Sequence, residues 1–545
     1  MTTQVQTPAP EVAHAVPAGP GSVLVRLFRD NVAVHVALLT GFILFTFGEP
    51  VPEGNELVYL LAAYRRWHPD FLLNDWTYSG DFTTHLVFNT VAGALTLLVS
   101  PEALGWIGRL ICWPLLMLGL IRIGRRFEIP LPVVSLAIVL WLGIVGDGAL
   151  VVGGEWIVRG FEAKVVAYVL LFFAIDRFLE EKDIVASILL GLTISFHAAV
   201  GVSGALAIGV ALIALRYPWR RIARVVGWSA VFSLPGMIPV LLMEGSGSGA
   251  TNGMWRFLTV VYMPHHLDPF SFVRRDVLVL LILLAFAGLC LLRYRTNRFF
   301  RFMMAFQGGL AAVFAFGVAC RWLGRYTLLQ ITPFRVFPIL APLFFLFAWL
   351  AVLMRRGERP AWLLGLVGTL ALLGLRDPVG AFRDHIQWRS AVPDPERQDL
   401  DAALRWLAEQ TPNGSVAILP PWAKEGFYVS QRAEIANWYF PPYERLEEWR
   451  ERIEALAGPL EVEGIEAYNA FEREALMRDA VERNYHERTQ AQIAAIVERY
   501  GGDYLVSDAS YSYPVLFDTG TYKVYRLTPS EAAPPPATGR SRPGS

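Results

Sequence analysis

Twelve separate apolar runs constrain this chain more than any other feature. They fall near residues 31–48, 85–99, 103–123, 130–150, 163–180, 184–199, 200–216, 222–243, 276–293, 299–320, 333–354 and 361–376. At about 17–22 residues apiece, most match the thickness of a hydrocarbon core. The residue balance agrees, with 54% of positions hydrophobic and only 18% charged. The predicted class is mainly α, a polytopic α-helical membrane protein. Forty-eight basic and 48 acidic residues cancel, but in such a chain the placement of charge matters more than its sum.

Placement gives a topology. Basic clusters occur at Arg26/Arg29, Arg122/Arg125/Arg126, Arg216/Arg220/Arg221/Arg224, Arg293/Arg295/Arg298/Arg301 and Arg355/Arg356/Arg359. If all twelve runs crossed, Arg122–Arg126 would lie outside and the bias toward inner arginines would break. It is kept if "HLVFNTVAGALTLLV" (85–99) rests on the outer surface as a juxtamembrane helix. About eleven spans then remain, with the N-terminus cytoplasmic and the C-terminus outside. The outer face is built from the long first loop (49–102), the segments 150–162, 197–203, 244–275 and 321–332, and everything after about 377.

That last part is charge-rich and differs in kind. "DLDAALRWLAEQTP" reads as an amphipathic helix closed by "NG", and "SVAILPP" as a buried strand. A helix over "ERTQAQIAAIVERYGG" follows, then strands "DYLVSD" and "YKVYRL". Residues 377–530 are long enough for one extracytoplasmic soluble α/β domain. Pro/Ala-rich ends, 1–25 and 531–545, read as disordered tails flanking the membrane domain at 26–376. Cys112, Cys290 and Cys320 lie in apolar runs and read as small packing residues.

The stretch "GNELVYLLAAYRRWHPDF", continued by "GDFTTHLVFNTVAGALTLLVSPEALGWIGRLICWPLLMLGLIRIGRR", resembles the first outer loop and next span of GT-C superfamily glycosyltransferases. That group includes protein O-mannosyltransferases and aminoarabinose transferases. "RGFEAKVVAYVLLFFAIDRFLEEKD" and "LLGLTISFHAAVGVSG" resemble its later spans. The C-terminal "SVAILPPWAKEGFYVSQRAEIANWYFPPYERLEEWRERI" is similar to the tail of an uncharacterised bacterial group of membrane proteins. The first resemblance implies transfer of a sugar from a polyprenyl-phosphate donor on the extracytoplasmic face of the plasma or inner membrane. It also implies an acid in the first outer loop that acts as general base or helps bind a divalent metal ion. Where the family pattern has Asp-Glu, this chain has Asn55-Glu56. An amide takes no proton at neutral pH, so the base would be Glu56, or Glu53 one turn away. The plainer reading is that these acids cap a surface helix.

Other outer-face residues carry two readings each. In "GGEWIVRGFEAK", Arg159 and Glu162 stand three apart, so they either neutralise each other on one helix face or line a wet cavity. His197 either packs or faces substrate. His265 and His266, beside Asp268, suit donor or acceptor contacts, a metal, or plain loop structure. Arg335, at the membrane boundary, either snorkels or grips a lipid phosphate. The chain has no P-loop, dinucleotide fingerprint, nucleophile elbow or zinc spacing, and no basic stripe for nucleic acid. Membrane lipid is the expected surrounding. A non-catalytic scaffold or binding subunit of envelope assembly, or a transporter, are the other readings.

Overall fold

The computed structural model describes residues 29–78, 84–145, 152–245, 250–294, 296–354 and 395–527. The run expected near 361–376 and both expected tails lie outside the described residues. The chain is predominantly helical, with a small sheet near its C-terminus. The first half holds α1 (Val32–Phe47), α2 (Glu56–Trp67), α3 (Leu86–Leu95), α4 (Pro101–Arg125), α5 (Leu131–Val145) and α6 (Ala163–Leu179). It continues through α7 (Asp183–Phe196), α8 (Ala198–Ala214), α9 (Trp219–Gly245), α10 (Arg274–Arg293), α11 (Arg298–Trp322) and α12 (Val336–Met354).

Four of these are long and apolar enough to cross a membrane: Pro101–Arg125, Trp219–Leu242, Arg298–Trp322 and Val336–Met354. Several other predicted spans are shorter helices, such as the 14 residues of α7 and the 15 of α5. α3, inside the run read as lying on the surface, has 10 residues, or about 15 Å, roughly half of a hydrocarbon core.

Burial sorts the helices. In α12 the apolar window is 89% buried, against 11% in α9. α12 is thus the central post, packed by α5, α10 and α11. α9 turns Val226, Trp228, Val231, Leu234, Ile238 and Leu241 outward. An apolar surface of that kind is one a bilayer would cover.

Charged residues gather at the two ends. At one end the buried Asp176 accepts from Arg122 Nε at 2.6 Å and Arg126 Nη2 at 2.7 Å. Glu180 accepts from the same two arginines, and Arg221 pairs with Asp183 at 2.5 Å. Arg298 pairs with Glu181. Loops whose arginines the charge rule assigns to one side therefore meet in space.

The other end carries the C-terminal part of the chain, called the outer domain after the side the charge rule expects. Its helices are α13 (Pro395–Gln410), α14 (Leu446–Ala457), α15 (Ala470–His486) and α16 (Gln490–Tyr500). Its strands are β1 (Val416–Ile418), β2 (Ala433–Glu434), β3 (Tyr504–Ser507), β4 (Val515–Asp518) and β5 (Lys523–Arg526), in the order β2-β1-β3-β5-β4. β1 runs parallel to β2 and β3, whereas β5 is antiparallel to β3 and β4. Capping boxes, Asn469 with Glu472 and Thr489 with Gln492, start α15 and α16.

Polar contacts, some of them buried, dock this domain on the bundle. The Glu434 backbone N–H donates to Asp75 Oδ2 at 3.0 Å, and Asn74 Nδ2 donates to the Gly414 carbonyl at 2.6 Å. Asp268 accepts from Arg321 Nε and from Arg473 Nη1, each at 2.9 Å. Tyr428 hydroxyl donates to Glu102 at the start of α4. The α4 axis therefore runs from the outer domain to the Arg122–Asp176 cluster.

Candidate functional site

A cavity of about 570 Å³ opens where the outer domain meets the bundle. The bundle contributes Asn55, Tyr59, His85, Glu155, Trp156, Arg159, His197, His265, His266 and Arg335 to its wall. The outer domain contributes Lys424, Trp438, Tyr439, Phe440, Tyr443, Phe471 and Glu474. Six residues singled out in the sequence thus converge: Asn55, Arg159, His197, His265, His266 and Arg335. Glu53, Glu56 and Glu162 do not line it.

Its charge centre is built on Glu155, nearly enclosed behind the wall. Glu155 Oε2 lies 2.6 Å from Arg335 Nε, and Oε1 lies 3.0 Å from Lys164 Nζ. Lys164 also reaches Glu162 Oε2 at 3.2 Å and sits 4.1 Å over the Trp156 ring. Arg335 Nη2 stands 3.0 Å from His266 Nε2, while His266 Nδ1 stands 2.7 Å from the Gly153 carbonyl. A carbonyl only accepts, so the network assigns the proton to Nδ1, and Nε2 accepts from the guanidinium. Burial, then the Arg335 charge, holds His266 well below the usual imidazole range. Arg335 is therefore oriented by an acid on one side and a neutral imidazole on the other.

A second pair of histidines lines another part of the wall. His85 caps α3 in the left-handed region, at φ 57°, a conformation that costs a non-glycine residue energy and clusters at functional sites. Its Nδ1 faces the Phe196 carbonyl at 3.4 Å, and its Nε2 faces the Tyr59 hydroxyl at 3.3 Å. The ring stacks on His197, centroids 4.9 Å apart. Burial lowers His85 to about 4, so it enters neutral chemistry as an uncharged ring.

Two sequence expectations are corrected. Glu56, expected as base, is fully enclosed behind the wall. Arg109 donates to it twice, from Nε to Oε1 at 3.0 Å and from Nη2 to Oε2 at 2.5 Å. The backbone N–H groups of Phe161 and Glu53 donate to the same carboxylate at 2.6 and 3.0 Å. Its lone pairs are spent on holding α2, α4 and the 152–162 loop together. Gly160 is needed there, because a Cβ would come within 2.9 Å of Glu56 Cβ. Arg159 and Glu162 do not share a helix face either, since α6 starts only at Ala163. Gly153 and Gly154, both at positive φ, open a loop, and Glu162 turns to Lys164 instead.

The other two residues of the motif have structural settings. Glu53 sits beside Glu49, and burial, then that neighbouring carboxyl, pushes it up to about 7. Asn55 occupies the position before α2 without a capping side-chain bond, and its side chain belongs to the cavity wall. Among the described residues, three ligand groups converge only at Glu396, Glu482 and His486 in the outer domain.

Sequence reading missed Lys424 and Glu474, which reach the cavity only through the docking of a separate domain. It also missed Arg109, whose charge in the middle of the apolar run 103–123 was the available signal. No protein-family model matches the chain, and no curated protein matches it.

Proposed function

We propose that the chain is a membrane-embedded GT-C-like glycosyltransferase with about eleven spans and an extracytoplasmic outer domain. It takes a sugar from a polyprenyl-phosphate-linked donor. One observation carries this reading: Arg335, Arg159 and Lys424 face an aromatic-walled cavity of sugar-sized volume at the end of an apolar bundle. Guanidinium suits a phosphate leaving group, and Tyr59, Tyr262, Trp156 and Trp438 offer ring faces and polar tips to a hexose. Arg335, fixed by Glu155 and His266, would receive the phosphate. The meeting of Arg122, Arg126, Asp176 and Arg298 at the far end supports the inside–outside assignment.

The test is binding of a short polyprenyl monophosphate to the purified full chain. Wild type should bind, and Arg335→Ala should bind about 10- to 100-fold more weakly, as loss of a charge-assisted contact worth roughly 1.5–3 kcal/mol requires. A wild-type protein indifferent to the lipid phosphate would overturn the reading. The alternative, a non-catalytic binding subunit, draws on one observation. Both carboxylates in the wall are paired, Glu155 with two cations and Glu474 with His265. Binding without transfer would favour it.

A further inference from the structure

We infer that His265, aligned by Glu474 of the outer domain, is the proton acceptor for the acceptor hydroxyl. This inference rests on the transferase reading. With Glu56 locked on Arg109 and Glu155 shared by two cations, neither of these two carboxylates is available as a base. His265 differs from both. Its Nδ1 stands 3.1 Å from Glu474 Oε2, an ion-pair approach without hydrogen-bond geometry, and a carboxylate this close still favours the tautomer that carries its proton on Nδ1. The basic lone pair is then on Nε2, which takes no part in the Glu474 contact. The side chain keeps 18% of its surface accessible and belongs to the cavity wall.

Position supports the assignment. The His265 ring lies 4.1 Å, centroid to centroid, from His266, which is bonded to Arg335. Proton acceptor and phosphate-binding cation are therefore neighbours. Phe471 stacks on the other side of His265, so α15 supplies both the packing face and the aligning acid. The outer domain completes the site rather than covering it.

The step balances without redox chemistry. The acceptor hydroxyl loses its proton to His265 Nε2 as its oxygen bonds the sugar's anomeric carbon. The bond from that carbon to the phosphate oxygen breaks, and its electron pair leaves on the polyprenyl phosphate beside Arg335. The imidazolium afterwards returns its proton to water.

The test uses labelled polyprenyl-phosphate hexoses, purified full chain and acceptor-bearing membranes from a deletion strain. Wild type should transfer label. His265→Ala should lose about 10²- to 10⁴-fold of the rate, the span of general-base catalysis, and added imidazole should restore part of it. Glu474→Gln should lose less, in kcat rather than KM. Polyprenyl monophosphate binding should be unchanged in both, which also shows that they fold. If His265→Ala does not bind it, His265→Gln takes its place and must show the same loss. Undiminished transfer by the His265 variant, or a loss that imidazole never relieves, overturns the inference and leaves the transferase reading standing. No transfer by wild type from any donor sinks both.

Discussion

Two buried acids sit on either side of the same loop and have opposite fates. Glu56 meets one arginine in a bidentate pair, accepts two backbone N–H groups and is closed off from the cavity. Glu155 shares its charge between Lys164 and Arg335, and through Arg335 it touches open space. A fully satisfied pair makes a joint, whereas a shared one leaves a cation with donors to spare. Acidity alone therefore does not mark a reactive carboxylate. The number of donors already spent on it does.

The comparison breaks first at Glu56. Removing one partner of a buried pair typically costs about 3–5 kcal/mol, because the other charge stays buried and unpaired. Arg109→Met should therefore lower the thermal midpoint of the detergent-solubilised protein more than any cavity substitution. Glu56→Gln should follow it, losing folded protein rather than transfer alone. If Glu56→Gln folds normally and fails only in transfer, the joint is a catalytic group after all and the contrast with Glu155 collapses.

Asp268 sharpens the contrast, since it is a closed acid whose failure should open the cavity. It holds Arg321 of the bundle and Arg473 of α15, the helix that also carries Phe471 and Glu474. Arg473→Met leaves Asp268 with Arg321, so its cost should be smaller, about 1.5–3 kcal/mol for lost charge-assisted bonds. Its signature should be local: faster proteolysis of residues 395–527 and weaker polyprenyl phosphate binding, with the bundle intact. Equal protection of both domains would detach α15 from the site.

The bundle is legible in sequence because spans are long and lipid imposes a simple rule on them. "ERTQAQIAAIVERY", "DYLVSD" and "YKVYRL" gave α16, β3 and β5 by periodicity. β2 and β4 escaped, β2 because it is two residues long and β4 because it is an exposed edge strand. The wall residues from the first half were legible because ionisable groups in apolar surroundings need a reason. Their partners were not. Arg109 lies 53 positions from Glu56, and Glu474 is more than 200 from His265, so only tertiary structure joins them. Helix periodicity also misled at Arg159 and Glu162, where two glycines at positive φ override it.

A third kind of acid extends the comparison to pH. Asp75 and Glu434 lie together at the dock, and burial holds both above their usual values, Asp75 to about 6 and Glu434 well above 4.5. Raised acids bind protons more tightly in the folded state. Stability thus falls as pH rises, starting near the ordinary values of 3.8 and 4.5 and continuing through the raised ones. The dock should loosen as pH rises from about 4 through about 6 and beyond, read as increasing proteolysis of the outer domain. Glu434→Gln keeps the shape without the ionisation and should flatten that curve. A wild-type curve that is flat, or that rises with pH, would mean both acids are already ionised.

The smallest effect is expected at Asn55, where the sequence departs from the acidic pair of the GT-C pattern. Asn55 precedes α2, makes no capping bond with its side chain and lies in the cavity wall. An aspartate there gains the helix dipole, worth roughly 0.3–1 kcal/mol. It also enters a cavity that already holds Arg159, Lys424 and Arg335, so the new charge meets cations rather than an apolar wall. Asn55→Asp should thus be folded and slightly stabilised, with polyprenyl phosphate binding lowered less than tenfold, because the added charge screens the arginines only in part. Transfer should not rise, since His265 already accepts the proton. A large gain in rate would show that the open side of the molecule lacks a base, and that the amide at position 55 is what silences it.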